Sequence, residues 1–166
     1  QLNSFLVWET YISNSGVERP RIKYPLEKTA FGSAHEIIRS VFQDSVMLEN
    51  SNNSAELADG VKAISTRAVI KNGKVTLFVL NLTDKPSPFT VKVDDVAYNG
   101  SISHNTMKFD DLADERVLGI DEEPLTKELT PSGQITLPKL SLNVIVLEDE
   151  TITPTIFDVS VATQSN

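Results

Sequence analysis

The dipeptide Asn72-Gly73 constrains this chain more than any other two residues. It sits between two apolar, β-branched runs, VKAISTRAVIK before it and KVTLFVLNL after it. A two-residue hairpin turn needs φ > 0 at both central positions. Asn tolerates that conformation and Gly has no Cβ to oppose it. The stretch from Val61 to Val93 therefore predicts a hairpin and places the chain among β-proteins.

Chain length fits one domain, or one domain with an appendage, since 166 residues can bury an ordinary core. The net charge is −8. A nucleic-acid binder would present a basic face, and here Lys and Arg are scattered and outnumbered. Nucleic acid and anionic membrane surfaces are thus excluded as expected partners. A neutral polysaccharide meets no electrostatic objection. No apolar run reaches the ~18 residues that a membrane-spanning helix needs. Cysteine is absent, which removes thiolate nucleophiles, disulfides and Cys-ligated zinc. Gln1 in place of Met suggests a processed product, a single domain or a fragment.

Along the chain, FLVWETYI at 5–12 reads as a strand apolar on both faces, the pattern of a doubly buried strand. A polar, Pro-containing loop, SNSGVERPRIKYP, follows. Ala34, Ile37, Ile38, Val41 and Phe42 recur at helical spacing. Ser33 and Glu36 form a capping-box pattern at the start, and a beginning nearer Glu27 with Gly32 inside is also open. Strands are expected at 61–71, 74–82, 88–94, 96–104, 125–129, 134–137, 141–148 and 154–161. Short strands at such spacing predict an antiparallel β-sandwich of about eight strands, Greek-key or jelly-roll-like, with one N-terminal helix. In SLNVIVLE the inward set is Leu142, Val144 and Val146, or else Ile145 and Leu147. Both faces are apolar, so the sequence leaves the choice open. Residues 1–50 read as a strand-loop-helix segment, 51–150 as the sandwich and 151–166 as an extra strand or extension.

No high-specificity catalytic or metal motif occurs. Asp110, Asp111 and Asp114 lie in an acidic stretch running to Glu123. A calcium site is the sharp interpretation and a solvated loop the ordinary one. Neither His35 nor His104, placed at a helix start and a strand end, has a nucleophile motif beside it. Both read as surface or helix-end histidines. Trp8 and Glu9 can line a sugar site, with the indole stacking on a pyranose or furanose face and Tyr11 nearby, although Trp in an apolar strand is more often core. Sequons stand at Asn52, Asn81 and Asn99.

The segment KVTLFVLNLTDKPSPFTVKVDDV resembles the C-terminal β-sandwich of α-L-arabinofuranosidases and related retaining glycoside hydrolases, in which a strand ends in an Asn before a short polar turn. Here that Asn is Asn81. MKFDDLADERVLGIDEEPLTKEL is similar to the family's long acidic connection. SGQITLPKLSLNVIVLE resembles its closing phrase, with Leu137, Pro138 and Ser141 before the last strand. The likeness covers about 61–148, and TITPTIFDVSVATQSN extends past it. It implies that SFLVWETYIS resembles a last barrel strand and PLEKTAFGSAHEIIRSVFQDS the helix after it. A (β/α)8 barrel needs ~250 residues, so this chain cannot contain one. The two catalytic glutamates of such enzymes, ~5 Å apart, lie on earlier barrel strands, and no residue here matches their motifs. The resemblance thus implies a non-catalytic accessory domain without cofactor. Its expected partner is the catalytic barrel of the same protein, with a plant or algal polysaccharide as further ligand. Export is favoured only because such degradation often happens outside the cell. A free-standing carbohydrate-binding or adhesion module and a surface-fibre subunit are the rival expectations.

Overall fold

The structure is a computed structural model that describes residues 8–24, 26–109, 117–119, 126–130, 134–148 and 158–163. In chain order the elements are β1 (Trp8–Ile12), β2 (Glu18–Ile22), β3 (Glu27–Thr29), α1 (Ala30–Phe42), β4 (Val46–Asn52), β5 (Glu56–Ala58) and β6 (Val61–Lys62). Then come β7 (Ile64–Lys71), β8 (Lys74–Asn81), β9 (Ser87–Val93), β10 (Val96–Ala97), β11 (Ile102–Lys108) and β12 (Val117–Gly119). The last are β13 (Thr126–Thr130), β14 (Gln134–Leu137), β15 (Ser141–Leu147) and β16 (Asp158–Thr163). The fold is mainly β, with α1 the one helix among the described residues. Two compact units result. One holds β1, β2, β3, most of α1 and β12, and the other holds the remaining strands.

In the larger unit the strands form a β-sandwich. One leaf runs β4-β7-β8-β15-β11-β13. The other joins β16 to β9, with β10 and β14 on the far edge of β9. β4 belongs to both leaves. Val46 to Leu48 pair antiparallel with β7, and Glu49 to Asn52 pair parallel with β16. Between the leaves lies one apolar cluster that includes Ile70, Val75, Leu77, Phe89, Val91, Ile102, Leu137, Ile145 and Leu147. Fully burying one such side chain is worth ~1.5–3 kcal/mol.

The ambiguity in SLNVIVLE has a physical resolution. Ile145 and Leu147 enter the core between the leaves. Leu142 and Val144 point to the opposite face of the sheet and are buried there too. Val69, Phe78 and Met107 share that second buried face, and Phe42 stacks on Phe78 with ring centroids 5.0 Å apart. Apolar residues occur on both faces because both faces are covered.

The hairpin turn forms where the sequence places it. Lys71 pairs with Lys74, and Asn72 and Gly73 take φ of 51° and 78°. A Cβ built on Gly73 meets nothing within 4 Å, so the Gly is required by backbone conformation alone. Gly73→Ala is therefore expected to cost about 1 kcal/mol, read as a fall in the urea midpoint at unchanged slope. A second turn of the same kind joins β9 to β10, with Asp94 and Asp95 both at positive φ.

Several expectations are corrected. β1 is not buried on both faces. It alternates exposed and half-buried residues and pairs antiparallel with β2. β2 itself lies within the expected loop. Its Pro20 is tolerated because a two-stranded ribbon leaves an edge that needs no ladder N–H there. β5 and the last two residues of β4, Ser51 and Asn52, lie in SNNSAELADG, a polar stretch that reads as loop, and the sequence reading assigns no strand to 46–50. The acidic connection contains β12, which pairs with β3. The helix starts before Ser33. Thr29 Oγ1 accepts the Gly32 N–H at 3.0 Å and caps it, so Ser33 lies inside the helix, buried and with its hydroxyl unpartnered.

Candidate functional site

The three expected sugar contacts, Trp8, Glu9 and Tyr11, all lie on β1, but period two divides them. Glu9 and Tyr11 share the half-buried face, while Trp8 and Ile12 face the other way. Arg21 of β2 lies opposite Glu9 in the register. Its Nε and Nη2 both lie 2.7 Å from Glu9 Oε1, and its guanidinium carbon stands 5.0 Å from the centre of the Tyr11 ring. One face of the ribbon is thus closed by an ion pair and a cation–π contact. Glu9 is held as a salt-bridge partner of Arg21. As an exposed pair it contributes at most ~1 kcal/mol.

On the other face Trp8 is 53% exposed and pairs across the ribbon with Ile22. Thr10 opposite Pro20, and exposed Ile12, continue this face. The result is a narrow apolar strip with one indole, a surface on which a sugar ring can stack. The structure therefore brings Glu9 and Tyr11 together through Arg21 and separates both from Trp8. Arg21 was not singled out in the sequence, because it stands in a segment that reads as loop. Asp110, Asp111 and Asp114 lie outside the described residues. Among the described residues no group of three or more His, Asp or Glu side chains could hold a metal, and no helix is long and apolar enough to cross a membrane.

A buried polar cluster lies inside the sandwich. Thr66, Val79, Asn143 and Thr106 form one row across β7, β8, β15 and β11. His104 is on the same face as Thr106 and is only 3% exposed. This corrects the expectation of a surface histidine at a strand end. The turn at Asn99-Gly100 ends β10 early, and β11 starts at Ile102, so His104 falls inside a central strand.

Asn143 organises the cluster. Its Nδ2 donates to Val79 O at 3.1 Å and to Ser141 Oγ at 2.8 Å. Its Oδ1 therefore faces His104 Nε2, 2.8 Å away, and accepts from Thr106 Oγ1 at 3.1 Å. That orientation assigns the proton of His104 to Nε2. The Ser141 hydroxyl donates in turn to Pro138 O at 2.7 Å. Asn81 Nδ2 donates to the same carbonyl at 2.8 Å and to Lys85 O at 3.0 Å, and Asn81 Oδ1 accepts the Thr83 N–H and hydroxyl. A parallel set ties Asn50 and Asn52 to Thr66 Oγ1.

Chemically this network is closed. Ser141 has no base, because its hydroxyl bonds a carbonyl and His104 addresses Asn143. The buried polar atoms are satisfied by one another, which is what low-dielectric surroundings demand. Its role is to clasp the β8–β9 turn to the β14–β15 connection. Asn81, Pro138 and Ser141, which carry the family resemblance, are members of this clasp. The signal for it was an Asn in the middle of the apolar run SLNVIVLE.

No protein-family model matches this sequence, and no curated protein matches it. Among solved structures, a GH30 endoxylanase from Clostridium papyrosolvens C71 aligns with 52% of this chain at 11% identity and a TM-score of 0.30. The aligned part is 20% of that enzyme's chain.

Proposed function

We propose that this chain is a non-catalytic β-sandwich domain of a polysaccharide-degrading glycoside hydrolase of the arabinofuranosidase type, one that packs against and stabilises a catalytic barrel of the same protein. The supporting observation is the clasp. Asn81, Pro138 and Ser141 are the residues by which the sequence resembles that family's sandwich, and they meet at a single carbonyl, that of Pro138. A strand-end Asn and a Pro-x-x-Ser phrase 57 residues further on have a joint structural purpose. The only carboxylate on the candidate strand, Glu9, is committed to Arg21, in keeping with an accessory role.

The purified chain is expected to release no product from aryl arabinofuranosides or aryl xylosides. Turnover that disappears in Glu9→Gln would overturn this reading. The parent gene gives a second check. An upstream barrel carrying two glutamate motifs is the expected finding, and a stop codon just before Gln1 contradicts it.

The exposed indole of Trp8 favours a second reading, a carbohydrate-binding module. The discriminating measurement is depletion of the chain from solution by insoluble arabinoxylan. Depletion lost in Trp8→Ala supports a binding module, and no depletion supports the accessory domain.

A further inference from the structure

The three Asn-x-Ser/Thr sequons are not used alike. Asn52 ends β4. Its Oδ1 accepts the Ser54 N–H at 3.2 Å and lies 2.8 Å from the Ser54 hydroxyl, while Nδ2 donates to Thr66. Asn81 ends β8 in the same manner, with Thr83 folded back on Oδ1 and both Nδ2 hydrogens given to carbonyls. In these two the Asn and the hydroxyl two residues on form an Asx-type turn that terminates a strand. The sequence pattern there is explained by the fold. Asn81 is also only 1% exposed, so its nitrogen can take no substituent in the folded chain.

Asn99-Gly100-Ser101, between β10 and β11, differs on every count. Asn99 and Ser101 are exposed. No hydrogen bond among the described residues uses the Asn99 carboxamide or the Ser101 hydroxyl. The backbone beneath them is nevertheless fixed. Ser101 O accepts the Glu148 N–H at 3.0 Å and the Tyr98 hydroxyl at 3.4 Å. A Cβ at Gly100 would overlap the Tyr98 phenol, so the Gly has its own structural reason. The Asn and the Ser have none.

We propose that Asn99 is an acceptor for an N-linked glycan, and that of the three sequons it alone is occupied in the folded protein. The transfer needs a lipid pyrophosphate-linked oligosaccharide. Asn99 Nδ2 forms a bond to sugar C1, the C1–O bond to pyrophosphate breaks, Nδ2 loses one proton and the lipid pyrophosphate leaves. No electrons change hands. The glycan projects into solvent, where its bulk disturbs no packing. Asn99 takes no part in the Asn81–Pro138–Ser141 clasp or in the Trp8 ribbon, so its modification is independent of the proposed function.

The test gives the folded full chain, made in bacteria, a single-subunit eukaryotic oligosaccharyltransferase with its lipid-linked donor and maps N-glycosidase-sensitive peptides. One occupied site at Asn99 is expected, lost in Asn99→Gln and in Ser101→Ala. Both variants should keep the far-UV spectrum and thermal midpoint of the parent, because neither side chain is bonded. Unmodified Asn99 in the transferase reaction, or a glycan on Asn52 or Asn81 of the folded chain, would overturn the proposal.

Discussion

Asn143→Ala is expected to lower folding stability by about 3–4 kcal/mol, out of a total of roughly 5–15 for a domain of this kind. The truncation removes the acceptor of His104 Nε2–H and Thr106, and the donor to Val79 O and Ser141. Each buried group left unpaired costs ~1–3 kcal/mol. The lost side-chain volume adds little beside that. The measurement is urea unfolding followed by far-UV circular dichroism, with a lower midpoint at unchanged slope. Trp8 fluorescence is the wrong probe, because the indole sits in the other unit. Removing both partners in Asn143→Leu/His104→Leu should recover part of the loss, since a pair replaced by apolar groups leaves fewer orphans. A loss under ~1 kcal/mol in the single variant would contradict the buried network.

Phe89→Ala should be as damaging for a different reason. Phe89 is among the largest fully buried side chains, and its cross-strand neighbour Ile135 belongs to the same cluster. Large-to-small substitution of a buried aromatic costs ~3–5 kcal/mol, through lost transfer energy and the cavity left behind. Val96→Ala serves as the control. It sits at the β9–β10 turn, 67% exposed, and should change stability by no more than ~0.5 kcal/mol. Equal effects of the two substitutions on the thermal midpoint would mean that the second leaf does not close over the first as described.

How much of this was legible in the sequence depended on whether a signal was local. The Asn72-Gly73 turn is specified by its own two residues, and it forms as read. The helix is legible, and of its two readable starts the earlier one, with Gly32 inside, is the one that forms, because Thr29 supplies the cap that Ser33–Glu36 mimics. β4 was invisible. Its run VMLENSN ends in polar residues, and only the contact with Thr66 gives Asn50 and Asn52 a reason to point inward. His104 was misread because strand boundaries moved by a few residues, which is enough to carry a side chain from rim to core. At the ribbon, alternation along β1 predicts that Glu9 and Tyr11 share a face and that Trp8 does not. The partner that fixes them, Arg21, comes from another strand and left no mark in the local pattern.

The parallel pairing of β16 with β4 sets the order in which the domain can be completed during synthesis. β4 and β9 both leave the ribosome before β16, and each lacks a neighbour on one side until β16 follows. Contacts this distant in sequence close slowly. In the interval two open strand edges face the solvent, and such edges recruit other chains. A ribosome that stops short of residue 158 would release a chain with its hairpin and main leaf formed, its second leaf unjoined and a strong tendency to aggregate.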